Sequence, residues 1–244
     1  MVSVKQTWCQ NIKKFMVNKL FISLQKEKER YLNARQGKEF EERIIQYLQM
    51  NLGFTRILKS DILIKEWDLI KKHIVKDKLG NSFLDVPSKK LKKTFIYQPY
   101  GSQQFPDLII FTENKIVPLE IKFSSRKQKN PIWNSNVPKA NAFYIFGSYG
   151  MKDLTFFCGN DIIVPEHRKS LYGFFTNIRE LQKKARKNMP KLDKTNRGFT
   201  PYIRVAFDQR KHKSSVETNF FIHPDRQNVE KSAIKKISIL SNNK

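Results

Sequence analysis

The residues of this chain whose types and spacing suit chemistry stand between Pro106 and Lys122, in Pro-Asp-Leu-Ile-Ile-Phe-Thr-Glu-Asn-Lys-Ile-Val-Pro-Leu-Glu-Ile-Lys. Two apolar, β-rich runs, Leu108 to Phe111 and Ile116 to Ile121, flank a polar break at Thr112 to Lys115. That is the pattern of a β-hairpin. Side chains alternate along a strand, so Glu120 and Lys122 share one face while Leu119 and Ile121 take the other. With a tip at Glu113-Asn114 the antiparallel partner of Asp107 is Glu120; with a tip at Asn114-Lys115 it is Lys122. Both registers gather Asp107, Glu120 and Lys122 on one face, with directly opposite Cβ atoms roughly 5 Å apart. Two carboxylates at that spacing can hold Mg2+ by one or two oxygens while the ion keeps water and takes a phosphate. Such an ion activates water and stabilises charge on phosphoryl oxygens. A neighbouring lysine can orient that water, take its proton or clamp the phosphate. Each residue alone has a plainer reading. Glu-Ile-Lys is often a solvated strand face with a weak cross-strand ion pair, and Pro-Asp often opens a strand from a turn.

The chain around this stretch is strongly basic, with 47 Lys and Arg against 22 Asp and Glu and a formal net charge of +25. Such a surplus calls for a polyanion, an acidic membrane surface or an acidic partner. Nucleic acid is the usual one, because each neutralised phosphate releases counterions. With 19 Phe in 244 residues this is no disordered basic tail, and the length suits one well-cored domain. No apolar run reaches the roughly 18 residues of a membrane span, and the first residues lack the apolar stretch of a secretory signal. Cys9 and Cys158 stand far apart, without CxxC or a matching His cluster. The expectation is a cytoplasmic protein with reduced thiols and no zinc site.

The pattern Pro-Asp, twelve residues, Glu-x-Lys resembles the PD-(D/E)xK nuclease superfamily, which includes most type II restriction endonucleases. The resemblance implies that Asp107 and Glu120 bind Mg2+ and that Lys122 serves the attacking water. Gly37-Lys-Glu-Phe-Glu41 is similar to the first helix of that fold, whose glutamate often reaches the metal, and this makes Glu41 a candidate accessory ligand. The implied fold is α/β, a central mixed β-sheet flanked by helices in a restriction-endonuclease-like core, here with a basic C-terminal elaboration. Implied partners are double-stranded DNA, a second copy in a homodimer whose twofold symmetry matches a palindromic site, and, for a restriction enzyme, a cognate methyltransferase. Two alternatives stay open: a structure-specific repair or junction nuclease, and a non-catalytic nucleic-acid-binding protein in which the three residues form only a surface ion network.

Several elements must position these residues. Helical spacing runs through residues 1–30 (Trp8, Ile12, Phe15, Met16, Leu20, Leu24) and again from Gln36 to Leu52, where Gly53 supplies the stop. A helix is expected over Ile62 to Val75, a loop over Lys76 to Lys93, and strands at Thr94 to Tyr97, Ala142 to Phe146 and Leu154 to Cys158. Arg168 to Leu181 reads as helical, Tyr202 to Phe207 as strand-like, and the tail after Asn228 as peripheral. The expected division is a helical region over 1–35, a catalytic core over 36–165 and a DNA-binding elaboration over 166–244.

Candidate DNA contacts fall in two places. Leaving the hairpin, Ser124, Ser125, Arg126, Lys127, Lys129, Trp133 and Asn134 offer hydrogen bonds, charge and a stacking ring on a loop beside the site. Lys183, Lys184, Arg186, Lys187, Lys191, Lys194 and Arg197 form a basic run facing one acid, Asp193. It suits phosphate contact, since lysine carries charge without fork geometry. Arg186, Arg197, Arg204 and Arg210 are the better readers of guanine. His167, His212 and His223 lack the spacing of a metal cluster.

Overall fold

Six strands form one mixed sheet whose spatial order follows the chain: β1 (Thr55–Arg56), β2 (Thr94–Tyr97), β3 (Leu108–Phe111), β4 (Ile116–Ser124), β5 (Phe143–Ser148) and β6 (Asp153–Cys158). β1 runs parallel to β2 and β4 to β5, and the remaining neighbours are antiparallel. The computed structural model describes residues 17–77, 79–80, 82–133, 136–195, 197–209 and 218–241. The start of the expected N-terminal helix, Cys9, Asn134, Arg210 and His212 lie outside the described residues.

Period-two alternation sorts the strand residues onto two buried faces. Leu108 and Ile110 of β3, Val117, Leu119 and Ile121 of β4, and Phe143 and Ile145 of β5 share one apolar layer. Helices α1 (Asn18–Lys26), α2 (Lys28–Leu32) and α3 (Gly37–Gln46) lie on that side. Phe40, Ile44 and Leu48 recur at helical spacing and are fully buried there, each contributing about 2 kcal/mol. The helix continues through a wider turn at Tyr47–Asn51 to Gly53, whose φ of 67° suits glycine at a helix end. On the opposite face Ile109, Phe111 and Ile116 meet Trp67 and Ile70 of α4 (Ile64–Lys71). Tyr144 and Phe157 form a separate cluster there with Trp133.

The hairpin register pairs Leu108 with Leu119 and Phe111 with Ile116. Thr112 N–H donates to the Lys115 carbonyl at 3.0 Å, closing a two-residue tip at Glu113-Asn114. Pro118 is tolerated inside this central strand because its missing N–H faces away from β3, on a side where pairing with β5 starts only at Leu119.

Among the described residues no helix links the parallel strands β4 and β5. Instead the connection crosses the second face as a loop, tied down by buried cations. Lys139, 1 % exposed, sets its ammonium on the carbonyl oxygens of Ile74 and Val75, the C-terminal end of the turn that continues α4. Arg168, near the start of α5 (Pro165–Leu192), donates to the carbonyls of Pro138 (2.7 Å), Gly159 (3.0 Å) and Ile163 (2.8 Å). The approach is so close at Gly159 that a Cβ there would lie 1.9 Å from the Lys139 carbonyl oxygen.

Three expectations are corrected. The helix expected at Arg168 to Leu181 runs on to Leu192 and carries Lys183, Lys184, Arg186 and Lys187 on exposed positions. Tyr202 to Phe207 is not a strand. Side chains of α5 hold the Pro201 carbonyl just before it, and within it only Phe207 forms a bridge, to Trp133. The tail is not peripheral either: α6 (Arg226–Ser241) buries Ala233 and Ile237 in the first-face core. Its Glu230, 5 % exposed, accepts from Thr155 Oγ1 at 2.7 Å and Arg226 Nε at 2.9 Å, and Arg226 also pairs with Asp153 at 2.6 Å. Among the described residues no helix is long and apolar enough to cross a membrane.

Removing Glu230 leaves a partly buried guanidinium and a buried hydroxyl short of an acceptor. Glu230→Ala should cost about 3 kcal/mol, read as a lower urea midpoint. Burial alone would raise the Asp153 carboxyl, but hydrogen bonds from Arg226 and Lys28 outweigh it and hold it below its ordinary value. The stability this pair contributes is therefore complete above the ordinary carboxylate range and is lost as pH falls through the lowered value.

Candidate active site

The strand ends of the hairpin create the site. β3 begins at Leu108, whereas β4 continues past Leu119 to Ser124. Beyond Leu119 the N–H groups on that edge of β4 have no strand to meet. Asp107 supplies the substitute: its Oδ2 accepts from Ile121 N–H at 2.7 Å, and its own carbonyl accepts from Gln98 N–H at 2.7 Å. The register places Glu120 opposite Asp107, on the face away from Leu119 and Ile121. Glu120 is 8 % exposed. Its Oε1 accepts from Lys122 Nζ at 2.6 Å, and its Oε2 is buried with no hydrogen-bond partner.

Glu41 comes from α3 past the end of β3, and its Oε2 accepts from the Tyr97 hydroxyl at 2.7 Å. Gln98 Nε2 donates to the same hydroxyl at 2.9 Å, and Gln98 holds φ at +47°, the left-handed region a non-glycine residue enters at some cost. The chain Gln98, Tyr97, Glu41 thus occupies one oxygen of Glu41 and fixes the other's direction.

These groups line a cleft of about 400 Å3. Its wall contains Glu41, Asp107, Glu120 and Lys122, together with the exposed Ser102, Gln103 and Gln104, the aromatic Phe105 and Tyr144, and Arg204. Phe105 packs against both apolar clusters of the second face. Burial and neighbouring charge act on the acids. Burial, and then the charge of Glu120, push the Asp107 carboxyl up to about 7. Burial also raises Glu41, with the Tyr97 hydrogen bond opposing and Glu120 adding. Among the described residues no three His, Cys, Asp or Glu side chains form a set able to hold an ion by themselves. The cleft offers a facing carboxylate pair with one buried oxygen open, not a closed protein cage.

The structure brings Asp107, Glu120, Lys122, Glu41 and Arg204 together. Of the other expected contacts that lie among the described residues, Trp133 alone lines this cleft. Trp133 is no exposed stacking ring: it is 5 % exposed, packs edge-on to Tyr144, and donates Nε1–H to Gln209 Oε1 at 2.9 Å. Ser124 is buried with its hydroxyl engaged by the Arg126 backbone. Ser125, Arg126, Lys127 and Lys129 are exposed on the loop that follows, and Arg197 is exposed beyond α5. Arg186 is exposed too, but its Nε–H donates to the Pro201 carbonyl at 3.1 Å. Sequence reasoning missed Tyr97, Gln98 and Tyr144. The signal for the first two was a polar pair ending an apolar strand directly before the approach to Asp107. Comparison with family models, with curated proteins and with solved structures gives no match to this chain.

Because Asp107 and Glu120 sense each other, a carboxyl-detected NMR titration of the metal-free protein should find Asp107 with a midpoint near pH 7, and Glu120→Gln should lower it. An unchanged midpoint in the variant would mean that the two charges do not interact. The sign for stability is the reverse of Asp153: the raised carboxyl costs stability as pH climbs from the ordinary carboxylate range toward 7, and the cost is complete above that.

Proposed function

We propose that this chain is a Mg2+-dependent endonuclease of double-stranded DNA, a type II restriction enzyme with a restriction-endonuclease-like core that works as a homodimer at a short specific sequence. The observation that carries the reading is the facing pair Asp107 and Glu120, with the buried, unpartnered Oε2 of Glu120 and the ammonium of Lys122 in the same cleft. A mixed sheet with helices on both faces supports it, as does a net charge of +25. A cognate methyltransferase belongs to the same reading.

The donor set suits the ion. Mg2+ keeps several waters and takes one or two protein carboxylates plus substrate phosphate rather than a full cage. Asp107 and Glu120 would hold it, with Glu41 as an accessory ligand through the oxygen that Tyr97 leaves open. Bound there, Mg2+ would supply charge against the phosphoryl oxygens and acidify the attacking water. The chain's own residues do the rest. Asp107 is held in place by the Ile121 N–H. Lys122, held at 2.6 Å by Glu120, orients the water. Phe105 and Tyr144 bound one side of the cleft.

A plasmid digest tests this. Discrete fragments should form with Mg2+ and not with EDTA. Asp107→Ala and Lys122→Ala should each slow cutting at least ~100-fold while still binding DNA. Intact plasmid in every lane despite tight binding would instead favour a binding protein. Cutting confined to branched substrates would favour a structure-specific nuclease.

Asp107 adds a proton linkage. Below its raised value the ion must displace a proton, so Mg2+ affinity should fall as pH drops through about 7, and binding near neutrality should release a proton. Calorimetry in buffers of different ionisation enthalpy reads this release directly.

A further inference from the structure

Segment 197–209 leaves the end of α5 and returns over the cleft as a strap without regular secondary structure, apart from its bridge at Phe207. Both sides of it are anchored. On one, the Pro201 carbonyl accepts from Gln182 Nε2 at 2.8 Å and Arg186 Nε at 3.1 Å. On the other, Phe207 N–H donates to the Trp133 carbonyl at 3.0 Å, and the Phe207 ring packs edge-on to Phe175 with centroids 5.0 Å apart. Arg204 lies midway between these anchors and lines the cleft that holds Asp107, Glu120 and Lys122.

The charges in that cleft make its position significant. Its lining has three carboxylates and two cations, Lys122 and Arg204. Lys122 is already bound to Glu120. Arg204 is exposed and is paired with no acid among the described residues. An incoming phosphodiester would meet repulsion from the acids, and Arg204 is the cation left to oppose it. Its planar fork also matches two phosphate oxygens, which an ammonium cannot do.

We infer that Arg204 is a catalytic residue that contacts the scissile phosphate, gripping its non-bridging oxygens, rather than a reader of guanine. The inference rests on the nuclease reading above. In the hydrolysis the water oxygen bonds to phosphorus and its proton passes to solvent. The bond from phosphorus to one sugar oxygen breaks, and that oxygen takes a proton. Arg204 stays protonated throughout and neutralises charge that grows on the non-bridging oxygens.

The test compares wild type, Arg204→Ala and Arg204→Lys in single-turnover cleavage of one duplex with Mg2+, and in equilibrium binding of that duplex without Mg2+. Arg204→Ala should slow the cleavage step ~100-fold while affinity falls less than about tenfold, and the cut positions should stay the same. Arg204→Lys should recover only part of the rate, because it restores charge without the fork. Circular dichroism should show both variants folded, since the side chain is exposed. Cleavage at the wild-type rate in Arg204→Ala would overturn the inference and leave the nuclease reading standing. New cut positions would overturn it in favour of base reading. A wild-type protein that cuts no duplex would remove both.

Discussion

One hydrogen bond organises the cleft: the carboxylate of Asp107 on the N–H of Ile121. It exists because β4 outruns β3. A buried backbone donor with no partner is costly, and a carboxylate set one residue before β3 meets that need with a side chain instead of a strand. The same bond holds an acid beside a second acid, Glu120, in a cleft that Phe105, Trp133 and Tyr144 help to line. The sheet edge is thus completed in a way that keeps negative charge where it is least comfortable. Burial and mutual repulsion push Asp107 up to about 7, and Glu120 keeps one oxygen buried and unpartnered. Both are costs that a bound cation would relieve.

The remainder of the chain serves to make that arrangement rigid. Helices on one face fix the hairpin from behind, with Phe40 packed on Phe123 at 5.0 Å between ring centroids. On the other face the loop from β4 to β5 builds the cleft wall. Lys139 ties it to the end of α4, Arg168 ties it to the start of α5, and Gly159 admits the Lys139 backbone at a distance no larger residue would allow. The strap at 197–209 closes over the cleft by bonding to Trp133 and to α5 side chains. A wall built from irregular backbone is held by cation-to-carbonyl contacts because it has no ladder of its own.

Much of this was legible because period-two patterning is local. The hairpin, its two possible registers and the shared face of Asp107, Glu120 and Lys122 follow from alternation alone, and the turn at Glu113-Asn114 selects the register that sets Asp107 against Glu120. Glu41 is a candidate only through the resemblance of Gly37-Lys-Glu-Phe-Glu41 to the first helix of the nuclease fold, not through any local pattern. Most of what failed depended on contacts distant in sequence. Trp133 sits in a polar, proline-bearing stretch, and nothing local reveals that Tyr144 and Phe157 cover it. Tyr202 to Phe207 alternates like a strand but finds no strand edge beside it. The length of α5 was underestimated because its distal half lost the apolar stripe, although Lys, Arg, Gln and Ala are strong helix formers and that signal was available. The tail misled by its charge, since Glu230 and Arg226 are buried against each other and against Asp153.

On the proposed reading, the buried, unpartnered oxygen of Glu120 and the carboxylate of Asp107 form one cation site. Mn2+, a paramagnetic stand-in for Mg2+, tests it most directly through broadening of backbone amide signals near the bound ion. The expected result is saturable broadening centred on Asp107, Glu120 and Ile121 in the wild type, weakened at least ~10-fold in apparent affinity by Glu120→Gln. Broadening centred elsewhere on the molecule, or unchanged in that variant, would contradict it.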